Sequence, residues 1–317
     1  GWAARAMTKL AISRNFINRL LGLVVAACMM PGLAASQQLP EALSADDFLP
    51  YDEARAALGQ MLFYDPILSG NRNISCGTCH HHAFFSADGQ SLGVGEGGTG
   101  LGPDRLAGQG EDAIEKRIPR NAPALFNLGA REIRVMFHDG RLELADFYEN
   151  GYNSPAEEYL PAGLSLLAAQ ALLPVNSEFE MAGNPEENKL AGLAYDQPDL
   201  VWAELVNRLR ATPAYGPLFL ETYPEMGSML HLNITHVATA LADFINAEWQ
   251  SYDSPFDRYQ AGDAAALNAE QLAGMELFFG EARCATCHSG PLFTDQEFYA
   301  LALPHFGPGR TRRFDPM

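Results

Sequence analysis

Two copies of one five-residue pattern decide the fold: Cys76-Gly77-Thr78-Cys79-His80 and Cys284-Ala285-Thr286-Cys287-His288. In each copy, two thiols two residues apart can form thioether bonds to the vinyl groups on one edge of a haem. The histidine that follows can bind the haem iron as its proximal ligand. The repeated motif therefore predicts two covalently bound haems c, one in each half of the chain.

Other uses of paired cysteines fit this chain less well. A C-x-x-C redox pair is expected beside a β-α-β pattern, and no such pattern surrounds either pair. A zinc site of four cysteines usually brings its two pairs within about 20 residues, whereas Cys76 and Cys284 stand in opposite halves of the 317-residue chain. The fifth cysteine, Cys28, lies near the N-terminus, so no thiol is left over for a disulfide framework.

The residues before the two motifs resemble each other and read as helices: 58–64 is Leu-Gly-Gln-Met-Leu-Phe-Tyr and 273–279 is Ala-Gly-Met-Glu-Leu-Phe-Phe. The glycine in each copy would let a second helix backbone approach closely. Apolar residues recur at the spacing of one helix face in three stretches: Ala54, Ala57, Leu58, Met61 and Leu62; Leu200, Val201, Leu205 and Leu209; Val237, Leu241, Phe244 and Ile245. No run of alternating strand residues is visible, so the sequence predicts an all-α fold of two cytochrome c-like haem domains.

The expected domain organisation has three parts. Residues 1–36 comprise upstream residues and a signal peptide, 37–230 a first haem domain, and 231–317 a second, incomplete haem domain. The proline and glycine residues of 212–217 favour a break before the second half. The stretch Gly93-x-Gly95-x-x-Gly98 matches a dinucleotide fingerprint, but no strand precedes it and no helix follows it, so it is interpreted as a loop.

The N-terminus predicts export to the periplasm. Lys9, Arg14 and Arg19 precede and border an apolar run over 20–30, and small residues at 34–36 favour cleavage near Gln37. The apolar run is too short for a stable membrane anchor. The alternative is a lipoprotein box over 25–28, with Cys28 as the lipidated residue.

The formal charge of −18 excludes one class of partner and suits another. Nucleic acid requires a surface rich in lysine and arginine, so it is not an expected partner. An acidic surface suits a protein that docks with a basic patch, although solubility alone also accounts for it.

Between the two motifs, the chain resembles the bacterial di-haem cytochrome c peroxidases and their MauG-type relatives. Three segments carry the resemblance, which runs from about Leu58 to Pro291: Arg120-Asn121-Ala122-Pro123-Ala124-Leu125-Phe126-Asn127, Phe137-His138-Asp139-Gly140-Arg141 and Pro174-Val175-Asn176-Ser177-Glu178-Phe179-Glu180-Met181. It implies that the N-terminal haem domain is peroxidatic and reduces hydrogen peroxide to water. It also implies that the C-terminal haem receives electrons from a small cytochrome or cupredoxin, and that a homodimer is to be expected.

The same resemblance assigns roles to individual side chains. Glu180 is the implied catalytic residue, because one positioned carboxylate can take a proton from one peroxide oxygen and return it to the other; Glu178 is the competing carboxylate two positions earlier. Asn121 is a candidate calcium ligand, although calcium prefers several oxygen ligands. Arg120 and Arg141 are candidates for pairing with haem propionates.

Two positions depart from the family pattern. Val94 stands where many relatives have a histidine that binds the N-terminal iron, and valine cannot bind iron. A five-coordinate or water-bound N-terminal haem, active without prior half-reduction, is therefore predicted. His138 stands where the family commonly has a tryptophan thought to relay electrons, and imidazole is harder to oxidise than indole. A direct haem-to-haem route, or one through Phe137, is the expected substitute.

A third departure is the short segment after His288. The family's distal ligand for the C-terminal haem lies further on, so the C-terminal domain is expected to be truncated. The nearby candidates are Tyr299, His305 and Met317, while Met275 fits a helix face better. Two further functions remain open: a MauG-like haem oxidase acting on a protein or organic substrate, and a di-haem electron carrier without peroxide chemistry.

Overall fold

The computed structural model describes residues 39–110, 113–194 and 196–304. The predicted signal peptide with Cys28, and the candidate ligands His305 and Met317, lie outside these residues. None of the helices in the described ranges is long and apolar enough to cross a membrane.

Helices form most of the regular structure, in agreement with the predicted helical character. In the described residues they are α1 (Glu53–Tyr64), α2 (Cys76–Cys79), α3 (Leu166–Ala171), α4 (Pro198–Ala211), α5 (Tyr215–Thr222), α6 (Ile234–Glu248), α7 (Pro255–Gln260) and α8 (Ala269–Phe279). Short 3₁₀ turns and long loops connect them. The two-domain division, with its boundary near residue 230, stays a prediction.

Helices α1 and α6 form the centre of the core. A Cβ atom on Gly59 would lie only 1.9 Å from the carbonyl oxygen of Ala240 and 2.8 Å from Cβ of Phe244. The two backbones therefore meet at Gly59, as the glycine in this position predicts. Helix α6 begins just after residue 230, yet its buried side chains share one core with α1, α3 and α4.

The buried face of α1 differs from the predicted one. Ala54 and Ala57 are exposed, and Met61 is 49% exposed. Leu58 and Leu62 are buried as predicted. Because Gly59 faces α6, Ala56 and Phe63 are buried in place of Ala54, Ala57 and Met61. Leu200 on α4 is likewise 43% exposed, while Val201, Leu205 and Leu209 are buried as predicted.

A small antiparallel sheet corrects the all-α prediction. Its strands are β1 (Val135–Met136), β2 (Leu142–Leu144) and β3 (Tyr152–Asn153), in that spatial order. Val135 pairs with Glu143, and Leu144 pairs with Tyr152. Strands of two or three residues are too short to show an alternating pattern, which needs about four.

Residues just after the second motif attach to this sheet through Gln296, beside an ion pair between Glu297 and Arg134 (3.2 Å). The Gln296 amide oxygen accepts hydrogen bonds from the backbone N–H groups of Arg134 (2.8 Å) and Val135 (3.3 Å), and its Nε2 donates to the Glu132 carbonyl (2.7 Å). Gln296 thereby substitutes for a neighbouring strand at the edge of β1. The N-terminal segment is attached to helix α7, because the Gln260 amide donates to the Pro40 carbonyl.

Candidate active site

The first motif forms a single helical turn that is packed against α1. Ser75 precedes the turn, and its backbone N–H donates to the Thr78 hydroxyl (3.0 Å). Gly77 lies against the Tyr64 ring, where a Cβ atom would be 2.3 Å from the nearest ring carbon. Cys76 and Cys79 are free and partly buried, and burial raises the pKa of each thiol to about 12.

His80 has the protonation and orientation of a metal ligand. Its Nδ1 lies 2.9 Å from the Ser86 carbonyl oxygen. Burial lowers the pKa of His80, so the ring is neutral at pH 7 and its one proton is on Nδ1. The lone pair is then on Nε2, and a hydrogen bond from the other ring nitrogen is the usual way in which proteins orient a metal-binding histidine.

The second motif repeats this local arrangement. Cys284–Thr286 forms a 3₁₀ turn, and the His288 N–H donates to the Cys284 carbonyl (3.0 Å). Nδ1 of His288 lies 3.1 Å from the Phe293 carbonyl oxygen. His288 is exposed, while Cys284 and Cys287 are partly buried.

Two buried side-chain oxygen atoms in the part of the chain that the structure describes lack a hydrogen-bond donor, and one of them, on Asp88, is close to the first motif. Within the described residues, Asp88 Oδ2 and Asn176 Oδ1 are buried side-chain atoms without a hydrogen-bond partner. Such atoms are rare in proteins and call for a partner. The charge of Asp88 acts on the pKa values of Cys79 and His80, and Asn176 stands four residues before Glu180. With two thiols and a neutral imidazole on one turn, these residues fit a covalently attached haem.

Glu180 lies on a π-helical turn, Glu178–Ala182, that faces the first motif. Such turns are rare and are found mostly at functional sites. Burial raises the pKa of Glu180, while the charge of Arg141 and a hydrogen bond from the Ser177 hydroxyl act to lower it. The charge of Glu180 in turn raises the pKa of Cys79, which shows that the two side chains are close. Glu178 has no such relation to the motif among the described interactions.

A loop, residues 91–100, packs against the Glu180 turn. Val94 is fully buried in it. A Cβ atom on Gly95 would lie 1.7 Å from the Phe179 carbonyl oxygen, and the Glu96 N–H donates to the Glu180 carbonyl (3.0 Å). The position that resembles the family's iron-binding histidine therefore holds an apolar side chain beside the candidate catalytic turn.

The other predicted site residues lie in more exposed positions. His138 is exposed as a whole residue. Its ring is still partly covered by protein, and this partial burial lowers its pKa. Arg141 stacks on the Phe137 ring at 3.9 Å and pairs with Asp139 at 3.0 Å. Asn121 is exposed, and no cluster of three or more His, Cys, Asp or Glu side chains suited to a metal occurs in the described ranges.

Sequence reasoning missed three residues of this site. Ser86 supplies the carbonyl that orients His80, Asp88 has a buried carboxylate beside the motif, and Arg105 binds the 91–100 loop. Asp88 gave no distinctive signal, because it begins the polar stretch Asp88-Gly89-Gln90-Ser91, which is typical of an exposed turn. Ser86 and Arg105 act on or through backbone carbonyls, which no side-chain pattern reveals.

Comparison with known proteins places this geometry in a family. The model of a family described as di-haem cytochrome c peroxidase matches residues 53–265. The chain is 31% identical over 274 residues to the methylamine utilization protein MauG of Methylorubrum extorquens, and 29% identical over 255 residues to the cytochrome c peroxidase Ccp of Escherichia coli. These alignments cover 86% and 80% of this chain but 60% and 41% of the relatives, so the chain spans about half their length.

Solved structures show the same fold. A MauG-like protein associated with microbial copper homeostasis is similar with a TM-score of 0.52 and 25% identity, over 84% of this chain and 59% of that one. The diheme peroxidase BthA from Burkholderia thailandensis is similar with a TM-score of 0.50 and 19% identity, over 82% of this chain and 58% of its own.

Proposed function

Because the chain belongs to the di-haem cytochrome c peroxidase family, we propose that it reduces hydrogen peroxide to water with two electrons from a small cytochrome or cupredoxin. Cys76, Cys79 and His80 would hold the haem of the peroxidatic domain. Cys284, Cys287 and His288 would hold the haem at which electrons enter. The two haems would supply the redox centres for peroxide reduction.

The proton chemistry belongs to Glu180. The observation that carries the proposal is the position of this carboxylate, which is desolvated on its π-helical turn and close to Cys79. A carboxylate with a raised pKa takes a proton from one peroxide oxygen more readily than an ordinary one, and returns it to the oxygen that leaves as water. The Ser177 hydroxyl and the charge of Arg141 stabilise the ionised form.

Glu180→Gln tests this assignment. The variant keeps the shape of the side chain but cannot transfer the proton, so peroxide-dependent oxidation of a reduced carrier should fall by about 10²- to 10⁴-fold. The matched control is Glu178→Gln, which changes the neighbouring carboxylate on the same turn and should keep wild-type activity. Equal haem content in all three proteins, checked by mass spectrometry, is required. Wild-type activity in Glu180→Gln would overturn the role.

The buried Val94 predicts the state of the first iron. Since no histidine stands at this position, we expect a high-spin signal from the first haem in the electron paramagnetic resonance spectrum of the oxidised protein. The protein should also react with peroxide without prior half-reduction. Two low-spin signals and no high-spin signal would contradict the prediction and favour an electron carrier.

A second candidate function is the MauG-like alternative from the sequence, oxidation of a protein or organic substrate. Its support is the same Val94 position together with the MauG relative. Peroxide consumption without turnover of a reduced carrier would favour it over the peroxidase. Calcium at Asn121, export to the periplasm and a homodimer stay predictions from the sequence.

A further inference from the structure

Arg105 is a buried cation whose donors all go to one loop. It is 4% exposed and donates to the carbonyl oxygens of Val94 (Nε, 2.7 Å), Gly95 (Nη2, 2.7 Å) and Gly100 (Nη1, 2.8 Å). Among the described residues no carboxylate lies within ion-pair distance of it. Burial lowers the pKa of Arg105, while the more distant charges of Asp88 and Glu96 act to raise it. The direct partners of the guanidinium group are therefore the three loop carbonyls.

The loop that Arg105 binds is the one that supports Glu180. Gly95 is in backbone contact with Phe179, and the Glu96 N–H donates to the Glu180 carbonyl at 3.0 Å. The Glu96 carboxylate is held in turn by the side-chain amides of Asn71 (2.9 Å) and Asn73. The loop also has a few backbone hydrogen bonds, among them a bridge between Thr99 and Leu106 (3.0 and 2.8 Å). The side chains of Arg105 and Glu96 add contacts at the part of the loop that holds the Glu180 backbone.

We propose that Arg105 is a positioning residue for Glu180, acting by fixing the 94–100 segment against the Glu178–Ala182 turn. The proposal rests on the proposed function, because the position of Glu180 affects the reaction only if Glu180 transfers the proton. The guanidinium group suits this role because it is planar, always charged and presents its donors in a rigid fork, so that one side chain binds three carbonyls at once. A lysine ammonium donates all its hydrogen bonds from one nitrogen atom, so it cannot reproduce this geometry.

Arg105→Lys and Gly98→Ala test the proposal in the haem-loaded protein. The first keeps the charge and removes the fork. The second keeps Arg105, but its new Cβ atom would lie 3.0 Å from Arg105 Nη2 and 2.4 Å from Val94 Cγ1, which displaces the same contact if Arg105→Lys fails to fold. The matched control is Arg210→Lys, since Arg210 binds the carbonyls of another loop: Met229, Leu230 and Leu232.

Two readouts separate positioning from general stability. Hydrogen exchange of peptides covering 91–106 should become at least tenfold faster in Arg105→Lys and Gly98→Ala, with α1 and α6 unchanged. The rate of the reaction with peroxide should fall about tenfold or more, because small displacements of a catalytic group are costly, while KM for the electron carrier is unchanged. Arg210→Lys should change neither.

Two other results would overturn the proposal. Wild-type exchange in 91–106 in both variants would show that Arg105 does not fix the loop. Faster exchange with a wild-type peroxide rate would show that the loop does not position Glu180. If Glu180→Gln itself kept full activity, the catalytic role proposed for Glu180 would fail, while the exchange measurement would still report on the loop.

Discussion

The two haem-attachment motifs have the same local geometry and different surroundings. In both, a short turn carries the cysteines, and the histidine Nδ1 lies against a backbone carbonyl that is six (Ser86) or five (Phe293) residues further on. The first motif is enclosed by the helical core, and burial dominates the pKa values of its thiols and imidazole. At the second, His288 is exposed, and α8 before it has no fully buried residue in the described structure.

Aligned positions before the motifs show what causes the difference. Leu62 on α1 is completely buried, whereas its counterpart Leu277 on α8 is 56% exposed. Gly59 touches the backbone of α6, whereas no atom lies within 4 Å of a Cβ atom placed on Gly274. The five-residue motif thus determines the turn, the loop after it supplies the carbonyl that binds the histidine, and a partner helix determines burial.

The largest expected effect is on stability at the leucine pair. Leu62→Ala removes a fully buried side chain and should lower the free energy of unfolding by about 2–5 kcal/mol. Leu277→Ala should change it by less than about 0.5 kcal/mol, because that side chain is mostly exposed. Chemical denaturation of the haem-loaded proteins measures both. Equal losses would mean that α8 is packed as tightly as α1.

The glycine pair should give effects of opposite sign. Gly59→Ala places a Cβ atom against the Ala240 carbonyl and forces the helices apart, at a cost of about 1–3 kcal/mol. Gly274→Ala fills open space and should stabilise α8 by up to about 1 kcal/mol through helix propensity. Thermal unfolding of the two variants and of the wild-type protein measures both changes in stability. A neutral Gly59→Ala would contradict the close crossing of α1 and α6.

The smallest effect concerns pH and tests whether enclosure of the first motif alters its chemistry. Burial raises the pKa of Glu180 above its ordinary value of 4.5, and the ionised form is the base. The rate of the peroxide reaction should therefore fall about tenfold per pH unit, or about 1.4 kcal/mol, as pH drops below that raised pKa. A rate that stays flat down to about pH 4.5 would show that the carboxylate is not the base.

The same shift has a defined sign in the stability of the protein. The native state binds the Glu180 proton more tightly than the unfolded state does, so this contribution is fully present below pH 4.5 and is lost as pH rises through the native pKa. Glu180→Gln should remove that part of the pH dependence of unfolding, and Glu178→Gln should not.

How much the sequence could predict depends on the range of the interaction. The motifs, the helices before them and most of the stripes on α4 and α6 were predictable, because they are local and periodic. The buried face of α1 was predicted only in part. Leu58 and Leu62 are buried as expected, but the contact of Gly59 with α6 leaves Ala54, Ala57 and Met61 exposed. The strands β1 to β3 were missed because they are too short for a period, and Arg105 because its partners are backbone carbonyls in a loop.

The carbonyls that orient the two histidines belong to Ser86 and Phe293, and both residues have a left-handed backbone with φ of 57°. Non-glycine residues adopt this conformation uncommonly, and here it turns a main-chain oxygen towards each ring. Replacing the side chain at either position leaves that oxygen in the chain, whereas inserting or deleting one residue between His80 and Ser86 would move it. The length and path of a loop therefore determine the direction of each imidazole. That direction should change less on point mutation than on a change in loop length.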